Sequence, residues 1–151
     1  HSRISLIPSS LGPNLIVLLS VKIRICTASH FSSPPYVGLI DYHEQHAYAY
    51  EIFGFERKDE LEIGPRFKGQ GKEARDAYVK GIAESLRNCK KYLQKDYDIF
   101  LVANDKFNLY PDIAQLSNMK IVNRFKRPVL NRVEKDRSNA YAEIIFHLKE
   151  R

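Results

Sequence analysis

The residues best suited to chemistry stand in one short run, Ser33-Pro34-Pro35-Tyr36. Two consecutive prolines fix their own φ angles and restrict the residue before each, so this corner is predicted to be rigid. Prolines donate no N–H, which leaves carbonyl oxygens as acceptors. A planar heterocycle with an exocyclic amino group would fit, its ring on Tyr36 and its amino hydrogens toward the Ser33 side chain and the Pro34 carbonyl. The four residues also occur in plain loops and phosphorylation sites, so the residues alone leave that alternative open.

The tetrapeptide falls where a strand is expected to give way to a helix. Residues 15–19 and 21–26 are β-rich, and the second stretch alternates apolar and polar side chains as a half-buried strand does. Residues 39–53 are predicted to be helical, with Ile40, Tyr48 and Ile52 on one stripe and Gly54 ending the helix. Ligands of open α/β sheets bind in the crevice at the carboxyl ends of the strands. The predicted elements therefore place the tetrapeptide at a binding edge.

The rest of the chain alternates helices and strands. A helix over residues 72–93 is followed by a continuous apolar run at 98–103, as expected of a strand buried on both sheet faces. A short helix over 111–116 precedes two more strands, at 120–126 and 141–148. This order predicts an α/β fold with a parallel sheet covered by helices and an antiparallel hairpin at its edge.

Composition limits the class of protein. A chain of 151 residues with 44% hydrophobic and 28% charged residues predicts one globular domain and excludes a disordered or collagen-like chain. Cys26 and Cys89 are too few for a disulfide framework, and neither lies in a zinc-binding pattern, which favours a reducing cytoplasm. The longest apolar run, residues 15–19, is far shorter than the roughly 20 residues that cross a bilayer, so no membrane partner is predicted.

The charge balance is compatible with a polyanionic partner. The formal charge is +6 and the pI is near 9.3, although a solvated basic surface would explain both values equally well. Basic residues crowd the long connection before the second helix and the terminal hairpin. The candidates for phosphate or substrate contact, with ordinary solvation as the alternative, are Arg66, Lys68, Lys72, Arg127, Asn131 and Arg132.

Two further pairs have alternative interpretations. His43 and His46 are neighbours on a helix face and could ligate a metal, but no third ligand lies in register, so we expect them to line the helix beside the tetrapeptide or to pack. No metal is therefore predicted. Asn104 and Asp105 end the buried strand and either border the ligand pocket or cap the helix that follows.

The run from Ser33 to His46 resembles the catalytic motif region of amino-group DNA methyltransferases, the N4-cytosine and N6-adenine enzymes that use S-adenosylmethionine. The resemblance continues through residues 102–106, 109–111, 126–132 and 141–146, and so covers residues 32–149. The serine form of the tetrapeptide is more similar to the N4-cytosine type. The implied fold is the C-terminal half of a Rossmann-like, S-adenosylmethionine-dependent methyltransferase sheet that ends in an antiparallel β-hairpin.

The resemblance implies a catalytic set of Ser33, Pro34, Pro35 and Tyr36. Ser33 and the Pro34 carbonyl would hold and polarise the target amino nitrogen, N4 of cytosine, while Tyr36 would stack on a base flipped out of double-stranded DNA. The methyl donor would be S-adenosylmethionine. Two alternative functions stay open: a catalytically inert fragment or nucleic-acid-binding module, and an RNA or protein-glutamine methyltransferase, against which the serine argues.

The cofactor end of the sequence departs from this family. Such enzymes carry an aromatic-x-Gly-x-Gly segment after a strand, whereas Gly69-Gln70-Gly71 follows a charged loop, so no cofactor-binding residue is assigned. Residues 27–32 are expected to intervene between the first strand and the tetrapeptide. Residues 1–31 are therefore predicted to be an atypical segment not native to the fold, and residues 32–151 the catalytic-motif part. The missing half would lie upstream, or residues 1–31 would replace it; a restriction endonuclease is a further expected partner.

Overall fold

A computed structural model describes residues 27–128 and 142–151 as one four-stranded sheet with helices. The strands are β1 (Thr27–Ser32), β2 (Leu93–Ala103), β3 (Met119–Pro128) and β4 (Ala142–Glu150). The helices are α1 (Tyr42–Gln45), α2 (Ala47–Phe53), α3 (Lys72–Lys90) and α4 (Tyr110–Leu116). Two 3₁₀ turns, Asp59–Leu61 and Arg66–Lys68, lie in the connection between α2 and α3.

The sheet has the order β1-β2-β4-β3. β1 runs parallel to β2, whereas β2 pairs antiparallel with β4, and β4 pairs antiparallel with β3. The expectation of an α/β fold ending in an antiparallel hairpin is confirmed. The sheet is mixed, however, with one parallel pair among the described strands.

The first described strand lies later in the chain than the sequence suggested. Residues 27–32 do not separate a strand from the tetrapeptide, because they form β1 themselves and lead directly into Ser33. Their mostly polar side chains do not show the apolar pattern by which a strand is recognised in a sequence. The strand is defined by the parallel pairing of its backbone with β2, which does not depend on the side chains. The predicted boundary between residues 31 and 32 falls inside this strand. The predicted strands at 15–19 and 21–26 lie outside the described residues.

The core lies between the sheet and the helices α3 and α4. Residues Tyr78, Ile82 and Leu86 of α3 recur every four residues and are buried there, so they form the core-facing side of this helix. Along the second half of β2, buried side chains alternate with half-buried ones, so the prediction that this strand is buried on both faces is wrong. A continuous apolar run does not reveal how many helices cover a sheet. On the second face, Phe31 is 69% exposed and stacks on Phe100, with ring centroids 4.6 Å apart.

The predicted helix over residues 39–53 is also divided. It begins at Tyr42 and is interrupted at His46, and its apolar stripe does not pack: Tyr48 is 61% exposed and Ile52 is 72% exposed. Gly54 ends α2 in the left-handed conformation, with φ of +64°, as predicted. The short α1 follows the tetrapeptide closely and is placed by contacts from the next loop.

No helix within the described ranges is long and apolar enough to cross a membrane. Cys89, on α3, is a free thiol whose pKa is raised by burial. Cys26 lies outside the described residues.

Candidate active site

A buried hydroxyl network holds the diproline corner from behind. Pro34 and Pro35 are buried, and the Pro35 carbonyl accepts a hydrogen bond of 2.8 Å from the Tyr78 hydroxyl. The Tyr110 hydroxyl lies 3.1 Å from that of Tyr78 and must donate to it, because the Tyr78 proton is already engaged. The ring of Tyr110 stacks on Phe146 with centroids 4.5 Å apart. The corner is thus tied to α3, α4 and β4 at once.

Both tyrosines of this network remain protonated donors. Burial raises the pKa of Tyr78 to about 12, and burial also raises the pKa of Tyr110 far above its ordinary value. A buried carbonyl that lost its donor would carry the full desolvation penalty. The network therefore fixes the direction of the Pro35 carbonyl.

The acceptors predicted for an amino group are available. Within the described residues, neither the Ser33 hydroxyl nor the Pro34 carbonyl has a hydrogen-bond partner. A cavity of about 290 Å³ lies at the corner, close to the lower end of the range for small-molecule pockets. Its lining residues are Ser33, Pro35, Tyr42, His43, His46, Tyr50 and Glu62.

A buried carboxylate and a histidine–tyrosine pair also line this cavity. Glu62 accepts a hydrogen bond of 2.7 Å from the Tyr42 backbone N–H and one of 3.5 Å from that of His43. The Tyr50 hydroxyl is hydrogen-bonded to Nδ1 of His43. The expectation that His43 and His46 line the helix beside the tetrapeptide is confirmed. Sequence reasoning missed Tyr42, Tyr50 and Glu62, and no local signal marks them, because Glu62 reaches α1 across 20 residues.

The fourth residue of the tetrapeptide faces elsewhere. The Tyr36 ring packs against the core, and its hydroxyl donates to Glu143 on β4 over 2.7 Å. The other carboxylate oxygen of Glu143 lies 3.4 Å from Nε of Arg127 on β3. Tyr36 does not line the cavity, so the structure does not bring its ring together with Ser33 there, and stacking on a base stays a prediction. The Glu143 contact is a second feature that sequence reasoning missed.

A loop from the α2–α3 connection packs beside the corner. The Gly38 N–H donates to the Gly64 carbonyl over 2.9 Å, and the Arg66 N–H donates to the Ile40 carbonyl over 3.2 Å. Gly38 has φ of +65°, and a Cβ there would lie 2.4 Å from the Gly69 carbonyl oxygen. Only glycine permits this approach, which brings the loop against the segment that follows the tetrapeptide.

The predicted phosphate-binding residues fall on separate elements. Arg66, Lys68 and Lys72 are exposed on the loop beside the corner and at the start of α3. Lys68 already donates to the Glu60 carbonyl over 3.1 Å. Arg127 is exposed on β3, where it pairs with Glu143. The last two of the set, Asn131 and Arg132, lie outside the described residues.

The described residues do not fit S-adenosylmethionine. The carboxyl end of β1 enters the diproline corner, and that of β2 enters Asn104-Asp105, so neither leads into a glycine-rich turn. Gly69-Gln70-Gly71 lies between a 3₁₀ turn and α3, which confirms it as a loop element. Asp105 caps α4 by accepting from the Leu109 N–H over 2.6 Å, and burial raises the pKa of this carboxyl. No group of three metal-binding side chains occurs in residues 27–128 or 142–151.

Comparison with known proteins gives one informative similarity. No protein-family model matches the chain, and no solved structure matches it. Over 119 residues, or 79% of its length, the chain is 59% identical to the Type II methyltransferase M.MjaII of Methanocaldococcus jannaschii. The chain is similar to a methyltransferase. It spans about a fifth of that protein, 22% of its length.

The match includes the candidate site. A matched segment of 119 residues in a chain of 151 can begin no later than residue 33 and end no earlier than residue 119. Residues 33–119 are therefore always inside it, and they include the tetrapeptide and every lining residue of the cavity. This similarity supports the methyltransferase resemblance of the sequence, while the amino-group subtype stays a prediction.

Proposed function

We propose that this chain is the base-holding part of an S-adenosylmethionine-dependent DNA methyltransferase that modifies an exocyclic amino group, N4 of cytosine. The observation that carries the proposal is the cavity of about 290 Å³ lined by Ser33 and Pro35. Pro34 lies between them in the chain, and its carbonyl has no hydrogen-bond partner within the described residues. It lies in a segment that is similar to a Type II methyltransferase.

The two acceptors would orient and activate the amino nitrogen. Hydrogen bonds from the amino group to Ser33 and to the Pro34 carbonyl fix its lone pair in one direction. They strengthen as the nitrogen becomes positive, so they stabilise the transition state more than the ground state. Since the corner is held rigid by Tyr78, little reorganisation is required when the base arrives.

The partners follow from this chemistry. The amino group is inaccessible inside a duplex, so double-stranded DNA must extrude the base at a cost of a few kcal/mol. Arg66 and Lys68 are exposed on the loop beside the corner, Lys72 is exposed at the start of α3, and these residues would hold the phosphates. The methyl donor would be bound outside the described residues, by an upstream half. A cytoplasmic location and a restriction endonuclease partner belong to the same proposal.

A chimera tests the function directly. The matched segment of M.MjaII is replaced by that of this chain, and DNA treated with the chimera and labelled S-adenosylmethionine is digested to nucleosides. We expect label on N4-methyldeoxycytidine. Label on the C5 carbon of cytosine, or no transfer by a folded chimera whose parent is active, would contradict the proposal.

A further inference from the structure

We propose that His43, oriented by Tyr50, selects the base in the cavity by donating a hydrogen bond from Nε2 to the ring nitrogen beside the amino group. This inference rests on the proposed function and deepens it. The cavity would then accept the amidine edge that cytosine and adenine share, and reject thymine.

His43 is placed to make this contact. It is 6% exposed and lines the same cavity as Ser33. Its Nδ1 is occupied by the Tyr50 hydroxyl, and its Nε2 has no hydrogen-bond partner within residues 27–128 and 142–151. One ring nitrogen is thus held by the protein, while the other remains for a ligand.

The hydrogen bond to Tyr50 decides which nitrogen carries the proton. A neutral imidazole nitrogen is a stronger acceptor than a phenol oxygen, and the Tyr50 hydroxyl has no other acceptor among the described residues. Tyr50 therefore donates to Nδ1, which leaves the proton of neutral His43 on Nε2. The ring presents a donor to the cavity.

The ring is also fixed from its backbone. The Glu62 carboxylate accepts from the N–H groups of Tyr42 and His43, which anchors the start of α1. Glu62 is itself buried, so this anchor is shielded from solvent. The ionisable groups that share the cavity with His43 are Tyr42, His46, Tyr50 and Glu62.

The arrangement matches one edge of a base. Cytosine and adenine each carry an amino donor next to a ring nitrogen that accepts a hydrogen bond. Thymine carries a carbonyl and a ring N–H. Its carbonyl would face the Pro34 carbonyl, acceptor against acceptor, and its ring N–H would face the Nε2–H of His43, donor against donor. A site whose polar groups are left unpaired in this way rejects the wrong ligand strongly.

Nuclear magnetic resonance of the full chain with ¹⁵N-labelled histidine tests the inference, using deoxycytidine, deoxyadenosine and thymidine as probes. We expect the free protein to show His43 protonated on Nε2, and both amino nucleosides, but not thymidine, to shift that signal. His43→Phe should weaken deoxycytidine binding about tenfold, the value of one hydrogen bond. Tyr48→Phe, the control, changes a residue of α2 that is 61% exposed and does not line the cavity, and it should leave affinity within twofold. Tyr50→Phe should redistribute the His43 proton between its nitrogens.

Each contrary result has a separate meaning. Equal binding of thymidine and deoxycytidine to the unmodified chain overturns selection by His43 without requiring any variant to fold. Unchanged deoxycytidine affinity in a folded His43→Phe variant also overturns it, while leaving Ser33 and Pro34 as the amino-binding corner. If no nucleoside binds, the inference fails, whereas the proposed function is decided independently by the methyl label of the chimera.

Discussion

At the scale of single residues, the Tyr78 hydroxyl connects the candidate site to the core. Replacing it by Phe leaves the Pro35 carbonyl buried without its donor, which should lower the free energy of unfolding by about 1–3 kcal/mol. Chemical denaturation measures this loss. Tyr92→Phe, at a site 62% exposed, is the matched control and should change stability little. Equal effects of the two variants would show that the network does not hold the corner.

His30 lies on β1, the strand that leads into the tetrapeptide, and makes the stability of the fold depend on pH. Burial lowers its pKa below the ordinary value of 6.5. The unfolded chain therefore binds a proton at a higher pH than the folded chain does, and the folded state loses stability as pH falls below 6.5.

We expect the free energy of unfolding of the His30→Gln variant to depend less on pH than that of the unmodified chain, over the range from about pH 7 to about pH 5 in which histidine titrates. Denaturation at several pH values measures both slopes. His46→Gln, which changes an exposed histidine, is the control. A His30→Gln slope equal to that of the unmodified chain would mean that this imidazole is not desolvated by folding.

At the scale of elements, the predictable part of the fold is the part whose apolar side chains face the core. α3 was predictable because Tyr78, Ile82 and Leu86 recur at helical spacing and are buried. β1 was not, since its pattern is dominated by serine and histidine and it is defined by pairing with β2. The start of α1 at Tyr42 was not predictable either, because the N–H groups of Tyr42 and His43 are bound by Glu62, which is distant in sequence.

The cap of α4 is a testable consequence of the fold. Asp105 accepts from the N–H groups of Leu109 and Tyr110, so Asp105→Ala should lower the free energy of unfolding by about 1 kcal/mol. Asp112→Ala removes an exposed carboxylate from the first turn of the same helix and serves as the control. Thermal or chemical denaturation measures both losses. Equal losses in the two variants would show that Asp105 does not stabilise α4 as a cap.

The approach of the basic loop to the corner depends on Gly38. Gly38 and Gly54 both have positive φ, but only at Gly38 would a Cβ collide with backbone, the carbonyl oxygen of Gly69. Gly54→Ala should therefore lower the free energy of unfolding by about 1–2 kcal/mol, because alanine disfavours the left-handed backbone conformation. Gly38→Ala should lower the free energy of unfolding clearly more, because the added Cβ would also collide with the Gly69 carbonyl oxygen. Comparable losses would indicate that the loop adapts without cost.

At the scale of the whole molecule, the described residues include the proposed amino-binding corner but no cofactor-binding turn. The chain spans 22% of the methyltransferase that it resembles, and its strand ends do not form a glycine-rich turn within the described residues. We therefore expect isothermal calorimetry of this chain alone to detect no S-adenosylmethionine binding at micromolar ligand. A micromolar dissociation constant would show that the cofactor site is present after all.

The central claim is that Ser33 holds the amino group that is methylated. The most direct test is the single-turnover methylation rate of the chimera carrying Ser33→Ala. The control is Ser29→Ala, which changes an exposed serine on β1, the strand that leads into Ser33. Loss of one hydrogen bond that strengthens in the transition state predicts a rate at least about tenfold lower for Ser33→Ala, with Ser29→Ala unchanged. Equal rates for the two variants would contradict the account.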